Sequence, residues 1–138
     1  MDLGNPVLKL CQDGMRAEAE GRTADARTLF EQAWTMRAND YDACVAAHYL
    51  ARRQDDPEDI LRWNQVALRH ADAVGDSTVA AFYPSLHVGV AMADERLGNT
   101  VAARAAFERA AEHVAALPAD AYGEQLQTAI TEGLRRLS

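Results

Sequence analysis

Between Ala91 and Ala110 the chain reads AMADERLGNTVAARAAFERA. A helical run ends at Leu97, Gly98 breaks it, and Asn99-Thr100 starts a second helix with Ala103, Phe107 and Ala110 on one face. An earlier stretch has the same order: Gly14, Gly21, then Thr23, Ala26, Phe30 and Ala33. A glycine that closes one helix, followed by a stripe of small residues in the next, leaves few options beyond closely packed antiparallel helix pairs. Composition agrees, since 28 of 138 residues are alanine, the strongest helix former, while β-branched and aromatic residues are sparse. The expectation is one all-α domain over residues 1–138, with helix pairs at about 6–39, 40–75 and 76–117 and a last helix at 120–137.

The helix ends follow from capping chemistry. Asn5-Pro6 opens the first helix, whose stripe is Val7, Leu10, Gly14 and Ala17; Gly21 closes it. Thr23 is the expected cap of the second helix, with Ala26, Leu29, Phe30, Ala33 and Met36 inward. Asp40 caps a third helix running to about Arg53. Asp56-Pro57-Glu58-Asp59 is the clearest helix start in the chain, and Gly75 ends that fourth helix with Ile60, Trp63, Ala67 and Ala71 inward. The fifth is read as one long helix from Asp76-Ser77 to Leu97, kinked at Pro84; the alternative makes 77–83 a separate turn. The sixth runs to Leu117-Pro118. Asp120 caps the seventh, whose stripe is Tyr122, Leu126, Ile130, Gly133 and Leu137, and which covers the open apolar end of the array.

Units of this length signal a helical solenoid. Gly14, Gly21, Ala26, Phe30 and Ala33, and again Ala91, Gly98, Ala103, Phe107 and Ala110, resemble the tetratricopeptide repeat, in a longer-helix form common in bacterial proteins. The resemblance spans about residues 7–117; the second unit departs from it at Asp55-Asp56-Pro57, and Ala38 stands where the family has a terminal proline. It implies an α-α superhelix of three hairpins plus a capping helix, seven helices in all. It further implies a concave groove lined by the first helix of each pair. The Lys/Asn/Arg set with which some family members grip a terminal carboxylate has no counterpart here.

In the irregular second unit Ala43, Ala46, Ala47 and Leu50 form a small stripe fit for burial. A quarter-turn away Tyr41, Cys44, His48 and Arg52 recur at i, i+3, i+7 and i+11, and the resemblance directs this second stripe toward the groove. Its neighbours would be Cys11, Met15 and Glu18 before it, and Ser85, Val88, Met92 and Glu95 after it. Tyr83, next to Pro84, would complete an aromatic-lined pocket with His48 and Arg52 as polar anchors. The plainer reading of Tyr41, Trp63, Phe82 and Tyr83 is a core seam where the fifth helix crosses the fourth. Likewise Cys44 and His48, at i and i+4, could act as nucleophile and base or as half a metal site, while packing explains both without chemistry.

The formal charge of −7 disfavours nucleic acid, because only Arg52-Arg53 and Arg135-Arg136 cluster basic residues. The N-terminal sequence lacks a signal-peptide pattern and no apolar run could cross a membrane. Cys11 and Cys44 form no C-x-x-C. These features point to a cytoplasmic protein with no cofactor, metal site or catalytic set. The function they lead to is a scaffold or adaptor that binds a peptide, a helix, a partner protein or a second copy of itself. A module holding a small ligand between the second and third units is the alternative.

Overall fold

The computed structural model describes residues 4–138. Positions 1–3 of the expected domain lie outside the described residues. The described residues form seven α-helices and no strand: α1 (Pro6–Ala19), α2 (Thr23–Thr35), α3 (Asp40–Arg52), α4 (Pro57–Val74), α5 (Phe82–Arg96), α6 (Thr100–Glu112) and α7 (Ala121–Arg136). The pairs α1–α2, α3–α4 and α5–α6 pack most extensively, and α7 lies against α6 and α5. This is the helical-repeat arrangement expected from the sequence. Among the described residues no helix is long and apolar enough to cross a membrane.

Two turns carry the repeat. At Gly21 (φ 77°) the Arg22 N–H reaches back to the Ala17 carbonyl at 2.8 Å, and at Gly98 (φ 83°) the Asn99 N–H reaches Asp94 in the same way, also at 2.8 Å. A side chain is strained in this left-handed conformation, which is why glycine recurs at both positions. After each turn the second helix buries its alanine–phenylalanine–alanine set, and Phe30 and Phe107 are fully enclosed. Their rings fit because glycine faces them: Gly14 lies under Phe30, and Gly133 of α7 lies under Phe107.

Capping residues act as the sequence suggests at four helix starts. Asn5, Asp56, Asp76 and Asp120 each accept a backbone N–H through the side chain. Elsewhere the boundaries differ. Thr23 is the first helical residue rather than a cap, and Arg22 before it makes no side-chain cap bond. The cap of α3 is Asn39, not Asp40; its side chain accepts the Asp42 N–H at 2.8 Å. Asp42 is thereby freed for another task. Buried at the foot of α3, its carboxylate accepts from the Asn5 amide (2.8 Å) and the Ala38 N–H (3.0 Å), tying the first pair to the second.

The kinked fifth helix is not found. Ser77–Val79 form a 3₁₀ turn and α5 begins at Phe82, so Pro84 occupies the third helical position. There an N–H has no partner within the helix, and proline loses nothing by lacking one. The sixth helix also ends early, at Glu112, before a second 3₁₀ turn at Val114–Ala116. Met36 and Tyr122, expected inward, are about half exposed because each sits at a helix end beyond the packed stripe.

The fit of glycine to ring gives a stability test. A methyl group added at Gly14 would stand 2.3 Å from the Phe30 ring. Overpacking of this kind costs about 1–3 kcal/mol, against about 1 kcal/mol gained in helix propensity. G14A is therefore expected to unfold at lower urea concentration with an unchanged slope, by a net of up to about 2 kcal/mol.

Candidate functional site

The first helices of successive pairs touch in two places, α1 with α3 and α5 with α7, but α3 and α5 do not pack extensively. The helix behind them, α4, packs against both. Bulk explains the gap. Phe82 at the start of α5 meets the His48 ring edge-on at 5.5 Å, and His48 meets Tyr49 at 4.8 Å, so large rings stand where alanines line other seams. Beyond Phe82 the helices diverge around a cavity of ≈340 Å³. His48 and Arg52 enter it from α3, Ile60 and Asn64 from α4, and Gly89, Met92 and Arg96 from α5.

His48 is 8% exposed, and no group among the described residues hydrogen-bonds its ring nitrogens. Burial, reinforced by the Arg52 charge, pulls its pKa down to about 4, so the imidazole is neutral at ordinary pH. Beside it, buried Asn64 donates its amide to the Ile60 carbonyl at 2.9 Å. The Asn64 amide also fills the space that a side chain at position 89 would need; a methyl there would sit 2.5 Å from it. Met92, 49% exposed, forms part of the opening.

The rim is cationic. Arg52 pairs with Glu18 of α1, and Arg53 reaches the same carboxylate at 3.0 Å, which leaves one positive charge in excess. Arg96 is exposed and makes no ion pair among the described residues. Glu95, the expected acidic groove residue, is held instead by Arg136 of α7 through two bonds of 2.9 Å, which lower its pKa.

The remaining expected site residues separate. Tyr41 is half-buried against the core, with Trp63 and Phe82 packed on the same cluster; this part of the aromatic set is a core seam. Cys44 is fully buried, and burial pushes its thiol up to about 12, so it is no nucleophile and takes no part in the cavity. Tyr83 belongs to a different place. Its hydroxyl donates to Asp72 at 2.6 Å, and its ring stacks on His113 at 4.9 Å and on His87 at 6.0 Å. The pocket expected from Tyr41, His48, Arg52 and Tyr83 thus keeps only His48 and Arg52. Of the other groove neighbours, Glu18 does meet Arg52, Ser85 does line the cavity, and Cys11 and Val88 are core.

Asn64, Gly89 and Arg96 were not foreseen. Ser85, Gly89, Met92 and Arg96 recur at i, i+4, i+7 and i+11, one helical face that the sequence displays, and a buried asparagine within α4 is itself a signal. Among the described residues no three His, Cys, Asp or Glu side chains converge as metal ligands would. No family model, curated protein or solved structure matches the chain.

Two measurements check this arrangement. Both thiols are buried, and Cys11 is likewise raised to about 12 by burial and then by Asp42. Neither is expected to react with a thiol reagent at pH 8 in the folded protein, and both react once urea unfolds it. His48 gives a pH test. Below pH 6.5 an unfolded-state imidazole takes up a proton that the folded one refuses until about pH 4, so stability falls as pH falls through that window. The contribution is about 3 kcal/mol at most. The urea midpoint of H48Q is expected to depend less on pH between 6.5 and 4 than that of the parent.

Proposed function

We propose that the protein is an interaction module of tetratricopeptide type, binding a segment of a partner protein over the concave face formed by its first helices. The observation that carries this reading is the opening between α3 and α5. Elsewhere the first helices close on one another; here a half-exposed methionine, Met92, borders a cavity whose rim holds Arg52 and Arg96. Methionine is a soft, adaptable contact, and a protein of net charge −7 with a local cationic rim favours an acidic, partly apolar segment. The twin glycine turns and their enclosed phenylalanines support the family resemblance. Two buried, free thiols suit a reducing compartment such as the cytoplasm.

A small-ligand module is the second reading, and one observation favours it. A side chain of a docked segment could cover Met92 and the arginines, yet His48 is more enclosed and has no hydrogen-bond partner among the described residues.

Photo-crosslinking tests the first reading. A benzophenone amino acid at Met92 is expected to give discrete adducts in the cells that make the protein, and the same group at Val101, 86% exposed on α6, is not. The R52E/R96E double variant should lose the Met92 adducts. An adduct between two copies of the chain would identify self-association as the interaction. Identical adducts from both positions, or none from Met92, would overturn the reading.

A further inference from the structure

We propose that the cavity between α3 and α5 binds a small organic carboxylate, its apolar body against Ile60 and Met92 and its carboxylate held by His48 and Arg96. This rests on the second reading above, that the cavity takes a small ligand, and adds the chemical class.

The first ground is an unmet need. An imidazole that makes no hydrogen bond within the protein leaves its donor and its acceptor to whatever occupies the space beside it. His48 is more than nine-tenths enclosed, lines the cavity and has no partner among the described residues. Arg52 also lines the cavity but is committed to Glu18 and lies 5.1 Å over the Tyr49 ring. In the neutral imidazole one ring nitrogen carries a proton and can donate to an anion.

The second ground is charge. The groups facing His48 are Arg52 and Tyr49 on its own helix and Arg96 across the mouth on α5; α4 contributes only the uncharged Asn64. Glu18 of α1 is committed to Arg52 and Arg53. Among the described residues no carboxylate lines the cavity. Arg96 therefore has no anionic partner among the described residues, and a ligand carboxylate would supply one.

The third ground is shape. The walls between the polar groups are apolar: Ala51, Ile60, Gly89 and Ala93. At about 30 Å³ for each water-sized unit, ≈340 Å³ admits a body of roughly ten non-hydrogen atoms. An aromatic or branched monocarboxylate matches this size. Inorganic phosphate would leave the apolar walls uncovered.

Benzoate is a suitable probe, with benzamide as its uncharged isostere and phosphate as an anion without an apolar body. Titration of the full chain by isothermal calorimetry at pH 7 is expected to show saturable, one-to-one binding of benzoate at millimolar concentration or tighter, and at least tenfold weaker binding of benzamide and phosphate. Arg96 is exposed, so R96Q should keep the parent's urea midpoint while losing tenfold or more in benzoate affinity. Histidine-ring NMR supplies the site: a carboxylate beside His48 favours the imidazolium, so saturation with benzoate should raise the His48 titration midpoint and leave His70 unchanged. If benzamide binds and moves the His48 signals as strongly as benzoate, the carboxylate class is wrong while the small-ligand reading stands. If none of the three probes binds, both fail. Benzoate binding that leaves His48 unmoved, or that R96Q does not weaken, would also overturn the proposal.

Discussion

How closely two helix backbones can approach determines nearly everything in this structure. Where glycine and alanine line a seam, the approach is close enough to enclose a whole phenylalanine: Phe30 over Gly14, Phe107 over Gly133. Close packing of this kind is sensitive to a single methyl group. It sets the pairing of α1 with α2, lets α7 settle against α6, and makes the glycine turns at positions 21 and 98 necessary, since only a tight reversal returns the second helix to the seam.

The cavity arises where that constraint is released. Between α3 and α5 the rings of His48 and Phe82 meet edge-on, and beyond them α4 lines the gap between the two helices. Its polar lining follows from the same event. A residue on this stripe of α3 would be buried in a regular seam, as Cys44 is one turn earlier, with its thiol pushed far above the usual range. One turn later His48 is 8% exposed, meets Phe82 of α5 edge-on and lines the cavity. Buried and unpaired, it stays neutral over most of the pH range.

Much of the fold was legible in the sequence because capping and stripe chemistry are local. Asn5-Pro6, Asp56-Pro57, Gly75 and Asp120 mark helix ends through bonds within a few residues, and each behaves as read. The errors fall where two local solutions compete. Asn39 and Asp40 are both good caps; Asn39 takes the role, and Asp40 pairs instead with His70 of α4, a tertiary link. Pro84 could kink a long helix or sit near the start of a shorter one, and the 3₁₀ turn at Ser77–Val79 realises the second. That choice also moves Tyr83. With α5 starting at Phe82, Phe82 faces α3, whereas Tyr83, one residue on and roughly 100° around the helix, faces Asp72 and His113.

The sequence by itself determined seven helices, their pairing and the inward stripes that carry the two phenylalanines, because periodicity and turn glycines act over a few residues. It also singled out the His48–Arg52 stripe as unusual. Tertiary structure alone decided which way that stripe faces and which groups meet there. Ser85, Gly89, Met92 and Arg96 come to it from a helix more than thirty residues away, and Glu18 takes up Arg52 from another. Whether a polar side chain ends in a seam or in a cavity depends on the distance between two helices, which is set by every side chain that separates them and by no single stretch of sequence.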